Sequence, residues 1–216
     1  MRHCVAVLIT LLIEVLVSLA AAASDSTEAV FRLRAEEKRR EVDAGSLTAC
    51  EAMAQLYATI GGMTKWDLDT IVLYTARVLA PGVSLRNLVI VPPGSLPHVS
   101  LGYSGFRSQY LDTPPSSQSH HFVGYFALGA KLPVGLVTEF FTECRELGLR
   151  TCLSWAERGR GDEPGDYQLG VVAANLAQKL KEAPALVRGL DGAIRATICE
   201  PEAVVPLSPP SSLTVQ

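Results

Sequence analysis

Apolar residues recur at intervals of three and four along most of the chain, which is the spacing of one face of an α-helix. Residues 27–42 form the first such segment, with Val30, Leu33 and the stem of Arg34 predicted on one side. A second helix is predicted to begin after Ser46, because serine is a favoured N-cap residue. Its apolar stripe consists of Leu47, Cys50, Met53, Tyr57 and Ile60.

The same periodicity predicts further helices along the chain. A third helix starts near Thr64 and stops at residues 80–82, because the Pro and Gly found there cannot continue it. Other helices are predicted from residue 116 or 117 to about Leu132, after Pro133, over residues 166–181, and from Pro184 through Leu186, Leu190 and Ile194.

The helical pattern breaks between residues 83 and 115, where prolines are frequent and only Leu88–Val91 fits a short strand. A second, polar loop is predicted over residues 155–165. The sequence therefore predicts an all-α fold, with six or seven helices forming one compact domain over residues 24–199. Residues 200–216 are rich in Pro and Ser, a composition typical of a disordered tail.

The first 23 residues are almost entirely apolar and predict export from the cytoplasm. Ala21 and Ala23 satisfy the small-residue positions of a signal peptidase site, so residues 1–23 are predicted to be a cleaved signal peptide. The alternative is an uncleaved membrane anchor over residues 4–23, since about 20 apolar residues can span a bilayer. Glu14, in the middle of the run, disfavours the anchor. In both cases the body of the protein is predicted to be secreted or periplasmic.

Composition and charge narrow the range of partners. The net charge is −3 and 19% of residues are charged, so the chain has no basic field for a phosphate backbone. Nucleic-acid binding is therefore not expected. A membrane contact is expected only if the N-terminal segment stays attached, and the predicted partner is an unidentified envelope protein.

Export changes the meaning of the cysteines that follow the leader. Cys50, Cys144, Cys152 and Cys199 permit two disulfides with three alternative pairings, and at least one disulfide is predicted. No CxxC pair is present, so a zinc ribbon or a thioredoxin-like redox site has no support.

The segment around two adjacent histidines is the main candidate for chemistry. Helical geometry places Gln118, His121, Phe122, Tyr125 and Gly129 on one face. Adjacent histidines diverge by about 100° on a helix, so they are poorly placed to share one metal ion, and no metal or other cofactor is predicted. A catalytic site that combines His121 with Tyr125, His98 and Asp166 is one interpretation. The alternative is a structural histidine paired with Gln118 or with the Pro-rich loop.

Two predicted helices carry matching small residues. Gly170, Ala173, Ala174 and Ala177 on the segment 166–181 face the same way, and Gly124 and Gly129 offer a similar surface near His121. We therefore expect these helices to pack together, with Asp166 and His121 near their starts. Asp166 is predicted to be an N-cap, and the alternative is a carboxylate that orients the histidine.

Two further leads are weaker. The segment Gly102-Tyr103-Ser104-Gly105-Phe106 lacks the last glycine of a nucleophile elbow and has no strand–turn–helix context, so it predicts a turn. Glu51 and Glu139 lie on amphipathic segments as candidate acids, but their spacing does not single them out.

These patterns support two functional hypotheses. The first is an exported envelope or extracellular protein with an interaction or structural role. The alternative is a small hydrolase, acting on cell-wall polymer, with His121 and Asp166 at the starts of two packed helices.

Overall fold

The computed structural model describes residues 26–80, 82–85, 88–111, 117–133, 135–137 and 164–201. Its helices are α1 (residues 26–43), α2 (Ala49–Met63), α3 (Leu68–Leu79), α4 (Gln118–Lys131), α5 (Pro164–Glu182) and α6 (Leu190–Ile198), and residues 135–137 are also helical. Short 3₁₀ helices cover Ser108–Tyr110 and Pro184–Gly189. The buried apolar side chains form one cluster, so the predicted all-α single domain is confirmed.

The segment after α3, which the sequence predicted to be mainly a loop, begins with two short strands. Strands β1 (Val83–Leu85) and β2 (Leu88–Val91) pair antiparallel, with Val83 opposite Val91. The short strand that the sequence allowed at Leu88–Val91 is therefore present, and Val91 joins the hydrophobic cluster.

Helix α4 lies at the centre of the fold. It contacts α2, α3, α5 and both strands, and it packs more extensively against α5 than any other two described elements pack together. Every residue from Phe122 to Ala130 is buried. Little of α4 therefore reaches solvent. Its polar side chains lie mainly in its first turn, which begins at Gln118.

Two helix starts differ from the predictions. Helix α2 begins at Ala49 because the Thr48 hydroxyl accepts from the Glu51 N–H, whereas Ser46 donates to the Glu41 carbonyl at the end of α1. Helix α3 begins after Asp67, whose carboxylate accepts from the Thr70 N–H at 2.9 Å. In each case the residue directly before the helix makes the N-cap bond, a short distance after the predicted start.

The predicted apolar face of α1 is wrong. Val30 and Leu33 are 48% and 64% exposed, while Phe31 is fully buried. The buried face also carries Glu28 and Arg32, which form an ion pair with each other. A paired carboxylate and guanidinium can be buried together, so apolar spacing alone does not identify the buried face of α1.

The last helical segment also differs in detail. The chain forms the 3₁₀ helix Pro184–Gly189 before α6, and this change of pitch buries Val187 and leaves Leu186 57% exposed. Leu190 and Ile194 are buried as predicted.

A disulfide joins Cys50, in the first turn of α2, to Cys199, directly after α6. One of the predicted disulfides is therefore present. Cys144 and Cys152 lie outside the described residues.

Other predictions also fall outside the described residues. They concern the leader 1–23, the helix after Pro133 beyond residue 137, the polar loop up to residue 163, and the tail from residue 202. Within the part of the chain that the structure describes, no helix combines the length and the hydropathy needed to cross a bilayer.

Candidate functional site

Small residues bring α4 and α5 into close contact. A Cβ atom added to Gly129 would lie 2.5 Å from the Cα of Ala174, and one added to Gly170 would lie 2.9 Å from the ring of Tyr125. No larger residue fits at these two positions without displacing a neighbour. The predicted packing through small residues is confirmed.

The two helices run parallel. Gln118 at the start of α4 faces Asp166 at the start of α5, and Gln178 near the end of α5 donates to the carbonyls of Gly129 and Leu132. The N-terminal turns therefore lie at the same end of the pair. Both present the positive end of a helix dipole, which favours a carboxylate there.

Asp166 and His121 meet at this end. The Nε2 atom of His121 is 3.4 Å from Oδ2 of Asp166. Gln118 donates from Nε2 to the other carboxylate oxygen, Oδ1, at 2.6 Å. Asp166 is 7% exposed and Gln118 is fully buried, whereas 23% of the His121 side chain reaches solvent. The imidazole is thus the solvent-facing member of a buried polar group.

The predicted N-cap role of Asp166 is wrong. Helix α5 already begins at Pro164, so Asp166 lies within its first turn. Its carboxylate pairs with α4, which is the alternative that the sequence left open. The packing of two helix starts explains this result, because it supplies donors from the neighbouring helix.

Tyr125 lies one helical turn after His121 and is 1% exposed. The two rings are nearly parallel, with an angle of 23° and a centroid separation of 6.4 Å. Gly170 leaves room for the ring of Tyr125, which lies between α5 and His121.

His98 contacts His120, whereas the sequence grouped it with His121. Its ring meets that of His120 edge-on, with a centroid separation of 4.7 Å, and the ring of His120 is 6.3 Å from that of His121. Burial, and then the charges of His98 and His121, lower the pKa of His120 to about 3. Burial is also the main cause that lowers the pKa of His98, with Arg32 and Arg39 contributing. At neutral pH both His98 and His120 are therefore uncharged.

Gln118 is the site residue whose partner the sequence did not identify. The sequence placed it on the same face as His121 and offered it as a partner of that histidine, whereas its amide binds Asp166. The available signal was a polar side chain on the buried face, three residues before a histidine. The described residues contain no cluster of three or more His, Cys, Asp or Glu side chains arranged to hold a metal ion.

The weaker leads have structural explanations. Ser104 accepts the Ala49 N–H on its hydroxyl at 2.9 Å and the Cys50 N–H on its carbonyl, so this turn caps the start of α2. Glu51 forms a two-pronged ion pair with Arg195, and this hydrogen bonding lowers the pKa of Glu51. Glu139 is outside the described residues.

A second polar cluster joins α1 to the Pro-rich loop. Glu28 pairs with Arg32 and with Arg77, and Arg32 also donates to the Pro97 carbonyl at 2.5 Å. Beside it lies a half-open cleft of about 520 Å³, where the exposed side chains of Leu33 and Leu96 are found.

Comparison with models of protein families, with curated proteins and with solved structures finds no match for this chain.

Proposed function

We propose that this protein is an exported hydrolase in which His121 is the general base and Asp166 orients it. The observation that carries the proposal is the pairing of a solvent-facing imidazole with a buried carboxylate at the joined starts of α4 and α5. Such a carboxylate fixes the ring and stabilises the imidazolium that forms when the base takes a proton.

In this mechanism His121 removes a proton from a water molecule as the water oxygen attacks an acyl carbon. The proton then passes from the imidazolium to the leaving group as the carbon–oxygen or carbon–nitrogen bond breaks. We propose an ester or amide bond in a cell-envelope polymer, because one histidine supported by one carboxylate is an arrangement suited to acyl transfer.

Export is part of this proposal. It is supported by the apolar N-terminal segment, which has the features of a signal peptide. The Cys50–Cys199 disulfide also supports it, because such bonds persist in oxidising compartments such as the periplasm and the extracellular space.

The test is release of soluble fragments from purified peptidoglycan and from ester-linked wall polysaccharides by the purified full-length protein. We expect His121→Gln and Asp166→Asn each to lower the rate by a factor of about 100 or more, the usual contribution of a general base. Gln178→Met, at the far end of the same interface, serves as the matched control and should retain the wild-type rate. Activity that survives in His121→Gln, or no cleavage by the wild type, would count against the proposal.

The second candidate is an interaction role without catalysis, and the cleft beside α1 favours it. Large apolar side chains exposed at a groove, here Leu33 and Leu96, are typical of protein-binding surfaces. Under this candidate the pair of substitutions Leu33→Lys and Leu96→Lys abolishes function in the producing cells. His121→Gln leaves function intact under this candidate and abolishes it under the first.

A further inference from the structure

Gln118 occupies an unusual position for an amide side chain. It is the first residue of α4, it is fully buried, and its Nε2 atom donates to Oδ1 of Asp166 at 2.6 Å. With Oδ1 bound to Gln118, the other carboxylate oxygen, Oδ2, faces Nε2 of His121 at 3.4 Å. The amide and the imidazole thus approach opposite oxygens of one carboxylate.

The amide of Gln118 uses only one of its two polar atoms within the site. The Oε1 atom of Gln118 is buried and has no hydrogen-bond partner among the described residues. An unsatisfied buried acceptor costs free energy, and an apolar side chain of similar size would avoid that cost but would leave Oδ1 of the buried Asp166 carboxylate without this donor. Holding Asp166 in one orientation is a role that an apolar side chain cannot fill.

We infer that Gln118 is a positioning residue that sets the tautomer of His121 by holding Asp166 with Oδ2 toward Nε2. This inference rests on the proposed function, because the tautomer matters most if His121 is a base. An ionised carboxylate only accepts hydrogen bonds, so Nε2 carries the proton and the lone pair of the neutral ring is on Nδ1. The atom that takes the proton from water is then Nδ1, the reverse of the serine-protease arrangement, in which aspartate binds Nδ1–H.

The experiment is nitrogen-15 NMR of the histidine rings in the full-length protein, above the pH range in which histidine titrates. The two ring nitrogens have different shifts when protonated, so the spectrum reports the tautomer. We expect the Nε2–H form in the wild type and a mixture of both tautomers in Gln118→Met. Gln178→Met removes another glutamine from the same helix pair and should leave the wild-type spectrum of His121 unchanged.

A wild-type His121 in the Nδ1–H form would overturn the inference. So would an unchanged tautomer in Gln118→Met, or an equal shift in Gln178→Met. If Gln118→Met does not fold, Gln118→Asn keeps the amide but shortens its reach by one methylene group, and the same shift toward a mixture is expected.

Failure of this inference and failure of the proposed function give different results. The NMR spectrum needs no substrate, so a wild-type Nε2–H form that depends on Gln118 stands even if no polymer is cleaved. If His121→Gln abolishes cleavage but the tautomer does not depend on Gln118, the function stands and the positioning role is lost. If both stand, Gln118→Met lowers kcat more than it raises KM.

Discussion

Two buried carboxylates cross-link separate segments of this protein, and their partners differ in chemistry. Glu28 on α1 faces the guanidinium groups of Arg32 and Arg77. Asp166 on α5 faces the amide of Gln118 and the imidazole of His121. Both carboxylates are less than a tenth exposed, so each needs partners to offset the loss of water.

The difference distinguishes a cluster with permanently charged partners from one that contains an imidazole. Arginine remains protonated at every physiological pH, so the guanidinium groups of the Glu28 cluster do not exchange protons with a substrate. The Asp166 cluster contains an imidazole, the side chain whose unperturbed pKa lies nearest to neutral pH. Burial of a carboxylate therefore does not by itself indicate a site, and the proposal depends on the identity of its partner.

The largest expected effect on stability comes from removing an arginine from the Glu28 cluster. Arg32→Met removes one partner of a buried carboxylate and the donor to Pro97, and we expect the free energy of unfolding to fall by about 3 kcal/mol. Chemical denaturation measures it. The control Arg34→Met breaks an exposed ion pair on the same helix and should leave stability unchanged within error. Equal effects of the two substitutions would contradict a structural role for the buried cluster.

A smaller loss of stability is expected at the other carboxylate. Asp166→Asn should lower the free energy of unfolding by about 1–2 kcal/mol, because Gln118 and His121 are not permanent cations and Asn can still form a hydrogen bond with them. The same denaturation experiment measures this loss of stability. The loss of hydrolysis that the proposed function predicts is measured separately, by the polymer-cleavage assay. A cost equal to that of Arg32→Met would show that Asp166 acts mainly as a structural link.

A third expected effect on stability is a pH dependence that arises from His98 and His120. The pKa of His120 falls from 6.5 to about 3 on folding, so below pH 6.5 the unfolded chain binds more protons than the folded one. Stability is therefore fully present above pH 6.5 and is lost as the pH falls, by at most about 1.4 kcal/mol per pH unit for one proton. The lowered pKa of His98 acts in the same direction.

Denaturation at several pH values between about 6.5 and 5 measures this slope, before the carboxylates begin to titrate. His120→Phe keeps a ring against His98 and should flatten the slope. A slope that persists unchanged in this variant would assign the pH dependence to other groups.

The helices and the small residues of the α4–α5 interface were predictable because both depend on local spacing. Gly129 and Gly170 mark the contact in the sequence, and the structure places them against Ala174 and Tyr125. The buried face of α1 was not predictable in the same way. Glu28 and Arg32 are buried only because each supplies the charge that the other needs, and Arg77 completes the cluster from a distant helix.

The candidate site shows the same division. The sequence identified His121, Tyr125, His98 and Asp166, but it did not assign their contacts. It left open whether Asp166 caps its own helix or faces the neighbouring one, and it did not predict that His98 meets His120.

The amino-acid sequence by itself determined where most helices form. It also determined which two helices carry the small residues that allow close approach. Only the tertiary structure decided that these two run parallel, with both N-terminal turns at one end. The physical reason is that small-residue surfaces allow close packing in either direction, since the contact is made by shape and carries no polarity. The direction comes from the path of the whole chain, and that direction places the carboxylate of Asp166 beside His121.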